Sequence, residues 1–405
     1  MNKNFVLLLV TALIFGVATG IYETALPLYL SELGISFAKI GIIFAFASFV
    51  IIIARIYIGG LSDRIGRKGL YTVSFILCGL ATLSAPFLAN LVIQTLLKTV
   101  REFGALTRET LFPVILYEEA DKGFLGRIGI FRGYEFLMQA VGTGILGLAI
   151  LFFSNIVTAY QLSLLFAGLL LFIGAAIWNS SFKEQPLRNA EIKDAVPLKE
   201  VFSIRSMNSN LILIAVASML ISFGVMFSHS FFMPLFFRDH FGMSESLVTV
   251  MLIIHRITIG LPLLFAIFLP YKNYKNWYII GVAFEGLSLI FGAISKNIWI
   301  SMPIFMLHDL IGGGIWVPIQ ATLIQRYSNP NQRGLEVSKV LAFTSIGGIL
   351  GPLCCGFVAD AMTPNMPVII GGIIICIAII PLLMLKNDSR MEASYLEEKK
   401  TEYAK

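Results

Sequence analysis

Charge is scarce in this sequence. Asp, Glu, Lys and Arg make up only 13% of its 405 residues, against about 25% in ordinary soluble domains. Before the C-terminal tail only one long polar stretch occurs. These shortages exclude a soluble enzyme, a nucleic-acid binder and a large extramembrane domain. Cysteine is rare too: Cys78, Cys354, Cys355 and Cys376 all lie in apolar runs without a CxxC pair. That excludes a disulfide scaffold and marks them as small packing residues. The four histidines are scattered along the chain without metal-ligand spacing, so no metal site is expected. A GxxxxGK(S/T) loop is missing, which argues against ATP as the energy source. No nucleophile–His–acid arrangement stands out, and no cofactor is expected.

What the chain has is apolar length. Hydrophobic residues are 57% of the total, roughly 230, and a bilayer span takes about 20. The runs fall near 5–30, 37–58, 70–89, 91–117, 129–152 and 158–178, then near 209–237, 245–269, 277–295, 299–325, 338–361 and 367–385. They are far longer than the ~10 residues of a barrel strand. Helices satisfy their own backbone in lipid, so an all-α membrane protein of twelve transmembrane helices is expected. The charged segment 181–208 reads as a linker between a bundle at 1–180 and one at 209–386, and 387–405 is a charged tail. Lys3, Arg64 to Lys68, Lys122, Arg127, the linker, Lys272, Lys275, Arg326, Arg333, Lys339 and the tail fall on one side, and only Lys39, Arg238 and Lys296 on the other. The positive-inside rule places the rich side, with both termini, in the cytosol. The net charge of +6 then reflects bases facing an anionic leaflet.

The two sets of spans repeat each other. Phe15-Gly16-Val17 recurs as Phe223-Gly224-Val225, Gly144-Ile145-Leu146-Gly147 as Gly348-Ile349-Leu350-Gly351, and Arg101-x-x-Gly104 stands opposite Asp309-x-x-Gly312. Parallel repeats of six spans predict two pseudo-symmetric six-helix bundles around a central space.

Between the second and third spans the chain reads Gly59-Gly60-Leu61-Ser62-Asp63-Arg64-Ile65-Gly66-Arg67-Lys68. This resembles the signature loop of the major facilitator superfamily, between the same two spans. The resemblance implies that family's fold, a secondary transporter working by alternating access, and a conformational latch. Gly59 and Gly66 allow close approach and a tight turn. Asp63 accepts from a helix N-terminus, which the resemblance implies is that of span eleven, near Ser338. Arg64, Arg67 and Lys68 pair with acids at the end of span four, where Glu109, Glu118 and Glu119 are candidates. The loop of the second half, 269–275, lacks the Gly and Asp, so a one-sided latch is expected.

Charges within spans cost several kcal/mol and point to function. Span four carries Lys98, Arg101, Glu102, Arg108 and Glu109. Arg101 and Arg108, seven apart, share a face, and Lys98 can neutralise Glu102 one turn on. The resemblance implies that spans one, four, seven and ten line the cavity. Their ionisable residues are Glu23, the span-four set, His229, His308 and Asp309. Arg101 and Asp309, at matching repeat positions, are expected to grip a polar substrate or each other. Glu23 and His308 are candidates for carrying a coupling proton. Arg256 in span eight either contacts substrate or pairs, with His255, against Glu285 of span nine. Arg132 and Glu135 are one turn apart and are expected to pair.

The expected function is proton-coupled export of small amphipathic organic molecules by a monomer in the cell membrane. Uptake of an anionic solute is the alternative, supported by Lys98, Arg101, Arg108 and Arg256. A third reading is a non-transporting sensor or scaffold.

Overall fold

The computed structural model describes residues 3–88, 90–119, 124–184, 207–265, 273–328 and 333–386. Among these, every regular element is a helix. The first half contains α1 (Lys3–Glu32), α2 (Phe37–Ile65), α3 (Arg67–Ser84), α4 (Leu91–Glu119), α5 (Phe124–Phe152) and α6 (Ile156–Ser181). Ten helical segments of the described residues are long and apolar enough to cross a membrane, and Phe37–Val50 of α2 forms a shorter apolar stretch. Helix α4 is long enough, at 29 residues, but too highly charged to face lipid.

Three spans of the second half are interrupted, each near a proline. Span seven consists of α7 (Ser209–His229) and α8 (Phe232–Phe241). The ring of Pro234 opposes the carbonyl of Ser230, four residues earlier, where the helix breaks. After α9 (Glu245–Leu264) and α10 (Tyr274–Ile294), span ten runs as α11 (Ile298–Leu307), a wide π turn over His308–Gly313, and α12 (Gly314–Tyr327). The α-helix resumes at Gly314, the residue whose carbonyl Pro318 leaves without its usual donor. A long α13 (Arg333–Ala361) follows, then α14 (Met366–Ile377) and α15 (Ile379–Leu383), which part at Ala378 ahead of Pro381. Asparagine side chains start four helices by accepting backbone N–H groups: Asn90 from Val92 at 2.9 Å, Asn155 from Val157 at 2.9 Å, Asn208 from Leu211 at 2.8 Å and Asn297 from Trp299 at 3.0 Å.

Within the first half α1 packs on α5 and α6, and α3 on α4 and α6; in the second, α7 packs on α13 and α14, and α10 on α14. The halves meet along two seams, α2 against α13 and α5 against α9. The repeat is visible in the packing. A Cβ on Gly104 would lie 2.7 Å from the Ser74 carbonyl of span three, and one on Gly312 would lie 2.7 Å from the Glu285 nitrogen of span nine. Thus span four sits on span three as span ten sits on span nine, each through a glycine at the repeat position.

At the end remote from the termini the halves are fastened. Arg238 Nη1 lies 3.2 Å from Glu32 Oε1, and Nη2 donates to Ser31 Oγ at 2.9 Å. Asp360 of α13 accepts the N–H groups of Phe37 and Ala38, both at 2.9 Å, and so caps α2 from the other half. Phe37–Phe232 and Phe44–Phe231 ring contacts line the same seam.

Candidate functional site: charged clusters between and within the bundles

Lys98, Arg101, Glu102 and Arg108 of helix α4 are turned inward, and each has a partner, whereas Glu109 is exposed. Lys98 Nζ and Arg101 Nη1 lie 2.5 and 2.9 Å from the same oxygen of Glu102. Arg101 also donates to Thr19 Oγ1 at 3.3 Å and stacks 3.9 Å from the Tyr22 ring centre. Lys98 lies over Phe44 at 4.3 Å. One carboxylate therefore serves two cations among aromatic rings, leaving a surplus positive charge. Two turns beyond Arg101, Arg108 is wholly buried and forms a two-pronged pair with Glu135 of α5, at 2.9 and 3.2 Å. Arg132 approaches the same Glu135 at 3.6 Å, the sequence-expected pairing, and Glu109 at 3.9 Å.

A second cluster joins the halves. Arg256 of α9 donates through Nη2 to Glu23 of α1 at 3.3 Å, and through Nη1 to the side-chain oxygen of Gln139 of α5. The Glu23 side chain remains 43% exposed while paired.

A third cluster lies in the second half. Asp309 Oδ2 sits 2.6 Å from His255 Nε2 and 3.3 Å from His308 Nε2. The Nε2 atoms of His229 and His308 are 2.6 Å apart. Beyond them, buried Glu285 accepts from Trp316 Nε1 at 3.1 Å. A Cβ on Gly313 would lie 3.7 Å from both Asp309 Oδ1 and Glu285 Oε2.

These geometries revise several expectations. Arg101 and Asp309 form no ion pair among the described residues, because each has a nearer partner in its own half: Glu102 and His255. Arg256 pairs across the halves with Glu23 rather than with Glu285. The histidines are scattered in sequence but not in space: ligand atoms of His229, His255 and His308 lie within 4.8 Å of one another. Glu109, a candidate partner for the signature loop, stands beside Arg132.

Of the signature loop, Gly59 and the side chains of Asp63 and Arg64 lie outside what the structure describes, as do the side chains of Glu118 and Glu119 and of Ser338 at the expected docking point. Gly66 has φ +88°, which a side chain would strain. The α3 N-terminus that follows is capped from beyond α6: Glu184 accepts the N–H groups of Arg67 and of Lys68, the latter at 3.2 Å. This is an anion at a helix N-terminus beside the loop, supplied by a residue that sequence reasoning left in the linker. Trp178 Nε1 donates to the Lys68 carbonyl at 3.3 Å.

Sequence reasoning also missed Gln139 and Asp360, and paired Glu135 only with Arg132. A signal for the α5 residues exists: Glu135, Gln139 and Thr143 recur every four residues, a polar stripe on one helix face. Its side chains meet three neighbours: Glu135 meets Arg108 of α4, Gln139 meets Arg256 of α9, and the Thr143 hydroxyl lies 3.3 Å from that of Thr24 on α1.

Solved structures with the same arrangement are transporters. The nucleoside transporter NupG, in a mutant form, superposes with TM-score 0.79 at 13% identity, covering 95% of this chain and 100% of its own. A bacterial homologue of the human lysosomal transporter Spinster, inward-facing and occupied, gives 0.77 at 14%, covering 94% and 96%. The human organic anion transporter MFSD10 gives 0.68 at 12%, covering 94% and 99%. No curated protein matches the sequence. The Major Facilitator Superfamily profile matches residues 1–100 and 271–403, more than half of the chain. With that profile, the fold and the helix arrangement in agreement, the chain belongs to the major facilitator superfamily.

Proposed function

We propose that this protein is a proton-coupled secondary transporter that exports small amphipathic organic molecules by alternating access. The observation that carries this reading is the Glu23–Arg256 pair, a part-exposed carboxylate bonded across the seam between the halves. Protonating Glu23 removes the anion that holds Arg256, so a proton arriving at that site loosens one half from the other. Lys98 and Arg101 against Tyr22 and Phe44 offer both a charge and apolar ring surface, which suits an amphipathic molecule. The bundles are taken as residues 1–180 and 209–386, joined by a cytosolic linker at 181–208, with residues 387–405 as a cytosolic tail. The protein is taken as a monomer in the cell membrane with both termini cytosolic.

Uptake of a small anion is a second reading. Its support is the surplus positive charge where Lys98 and Arg101 share Glu102. Purified protein in liposomes separates the two. Under an imposed pH gradient, wild type moves lipophilic organic molecules and Glu23→Gln does not respond to the gradient. Movement of small anions alone, abolished by Arg101→Ala, would replace the first reading with the second. Gradient-insensitive behaviour of wild type toward both classes would remove proton coupling.

A further inference from the structure

The histidine cluster has a chemistry that neither the family nor the transport reading requires. Ser228 Oγ lies 3.0 Å from the Gly224 carbonyl, 3.2 Å from the Val225 carbonyl and 2.6 Å from His229 Nδ1. His308 donates its Nδ1–H to the Phe305 carbonyl, so the Nε2 of the neutral ring is a bare lone pair. That lone pair faces His229 Nε2 at 2.6 Å. In the tautomer with the His229 proton on Nδ1, toward Ser228, both Nε2 atoms are bare and a cation beside them satisfies the two together; in the other tautomer His229 donates to His308.

The rest of the cluster supplies the same kind of donor. His255 Nε2 and Asp309 Oδ2 are 2.6 Å apart, yet both are buried and neither makes an aligned hydrogen bond. Asp309 is 5% exposed and His308 fully buried. A buried carboxylate needs a charged or donating partner. Asp309 Oδ2 has the His255 and His308 nitrogens at 2.6 and 3.3 Å, in a group of three imidazoles whose ligand atoms lie within 4.8 Å of one another. The wide turn His308–Gly313 puts His308 and Asp309 side by side at this point, and such turns recur at functional sites.

We propose that His229, His255, His308 and Asp309 form a binding site for a divalent transition cation of the Zn2+ class. Three nitrogens and one carboxylate oxygen match its preferred tetrahedral set. A Zn–N bond of about 2.0–2.1 Å places tetrahedral ligands roughly 3.3 Å apart, so the 2.6 Å contacts open by side-chain rotation when the ion enters. Ser228 and the Phe305 carbonyl are the outer partners that hold two ligands in the correct tautomer. The ion ties spans seven, eight and ten together. Nothing in the assignment depends on proton coupling or on the transported molecule.

The test uses the full-length chain in detergent, stripped with chelator and then given Co2+ or Zn2+ alone. The site predicts about one ion per chain and the visible absorption of four-coordinate Co2+, displaced by Zn2+. It also predicts that Zn2+ raises the unfolding temperature by mass action. Ser228→Ala should weaken the affinity by about 10-fold or more, and Asp309→Asn and His229→Gln should remove the Co2+ spectrum. His240→Gln should leave it intact, because His240 lies elsewhere, against the Ser295 carbonyl. Wild-type protein that binds no ion would overturn the site without any variant being needed. Binding that survives Asp309→Asn and His229→Gln but fails in His240→Gln would overturn it as well. Neither failure touches the Glu23–Arg256 reading, whose test is a pH-gradient flux.

Discussion

Arg256 reaches from α9 of one half to Glu23 on α1 of the other, 233 residues earlier in the chain, and holds Gln139 of α5 with its second amino group. The pair spans the seam between α5 and α9, one of the two along which the halves touch. Without the Arg256 guanidinium, the charge on Glu23 no longer decides whether this seam is tied. Arg256→Gln should therefore abolish the response to a pH gradient while the protein still inserts and purifies as a folded species. Flux in liposomes with and without the gradient checks this. A normal gradient response would remove the pair from the coupling step.

The Arg108–Glu135 pair is enclosed within the first half. Arg108 is fully buried, bonded through two nitrogens, and stacked 4.0 Å from the Phe15 ring centre. Glu135→Ala should destabilise the first half by about 3–5 kcal/mol, because it strands a buried guanidinium. The double change Arg108→Met with Glu135→Leu should cost much less, since both charges leave together. Thermal unfolding in detergent gives the comparison, and equal losses in the single and double variants would contradict it.

The remote end depends on Arg238. It faces Glu32 at 3.2 Å, Asp239 at 2.7 Å and Glu245 at 3.6 Å, so Arg238→Ala leaves three acids confronting one another. A part-exposed pair is worth about 0.5–1 kcal/mol, enough for a roughly 2- to 5-fold shift in population toward the form open at that end. Asp360→Asn should act in the same direction by weakening the cap on α2. Labelling rates of cysteines placed at Ser31 and Phe37 should rise in both variants, and unchanged rates would show that these contacts do not hold the end shut.

Asp63→Asn in the signature loop should lower transport without reducing membrane insertion. Equal turnover in the variant and wild type, normalised to inserted protein, would discard the latch.

The sequence made the lipid-facing architecture legible because it is local. Twenty apolar residues in a row, bases on one side and a loop such as Gly59–Lys68 are each contained in a short window. The partners of the intramembrane charges were less legible because side-chain geometry settles them. Arg101 and Asp309 occupy equivalent repeat positions, yet Glu102 is adjacent to one and His255 lies two spans before the other, and those nearer partners win. The histidines illustrate the same limit. His229, His255 and His308 stand on three spans, with no spacing that a linear motif records. The break before Pro234 and the wide turn at His308 both alter which residues face inward, and helical periodicity assumes neither.

The most direct test of two halves that open one end at a time is a distance measured across the remote end. Spin labels at Lys39 and Asp239, in protein whose native cysteines are replaced, report it by pulsed electron resonance in lipid nanodiscs. The account predicts two separations whose proportions shift toward the longer in Arg238→Ala and change again with Glu23→Gln. A single separation, identical in wild type and both variants, would contradict it.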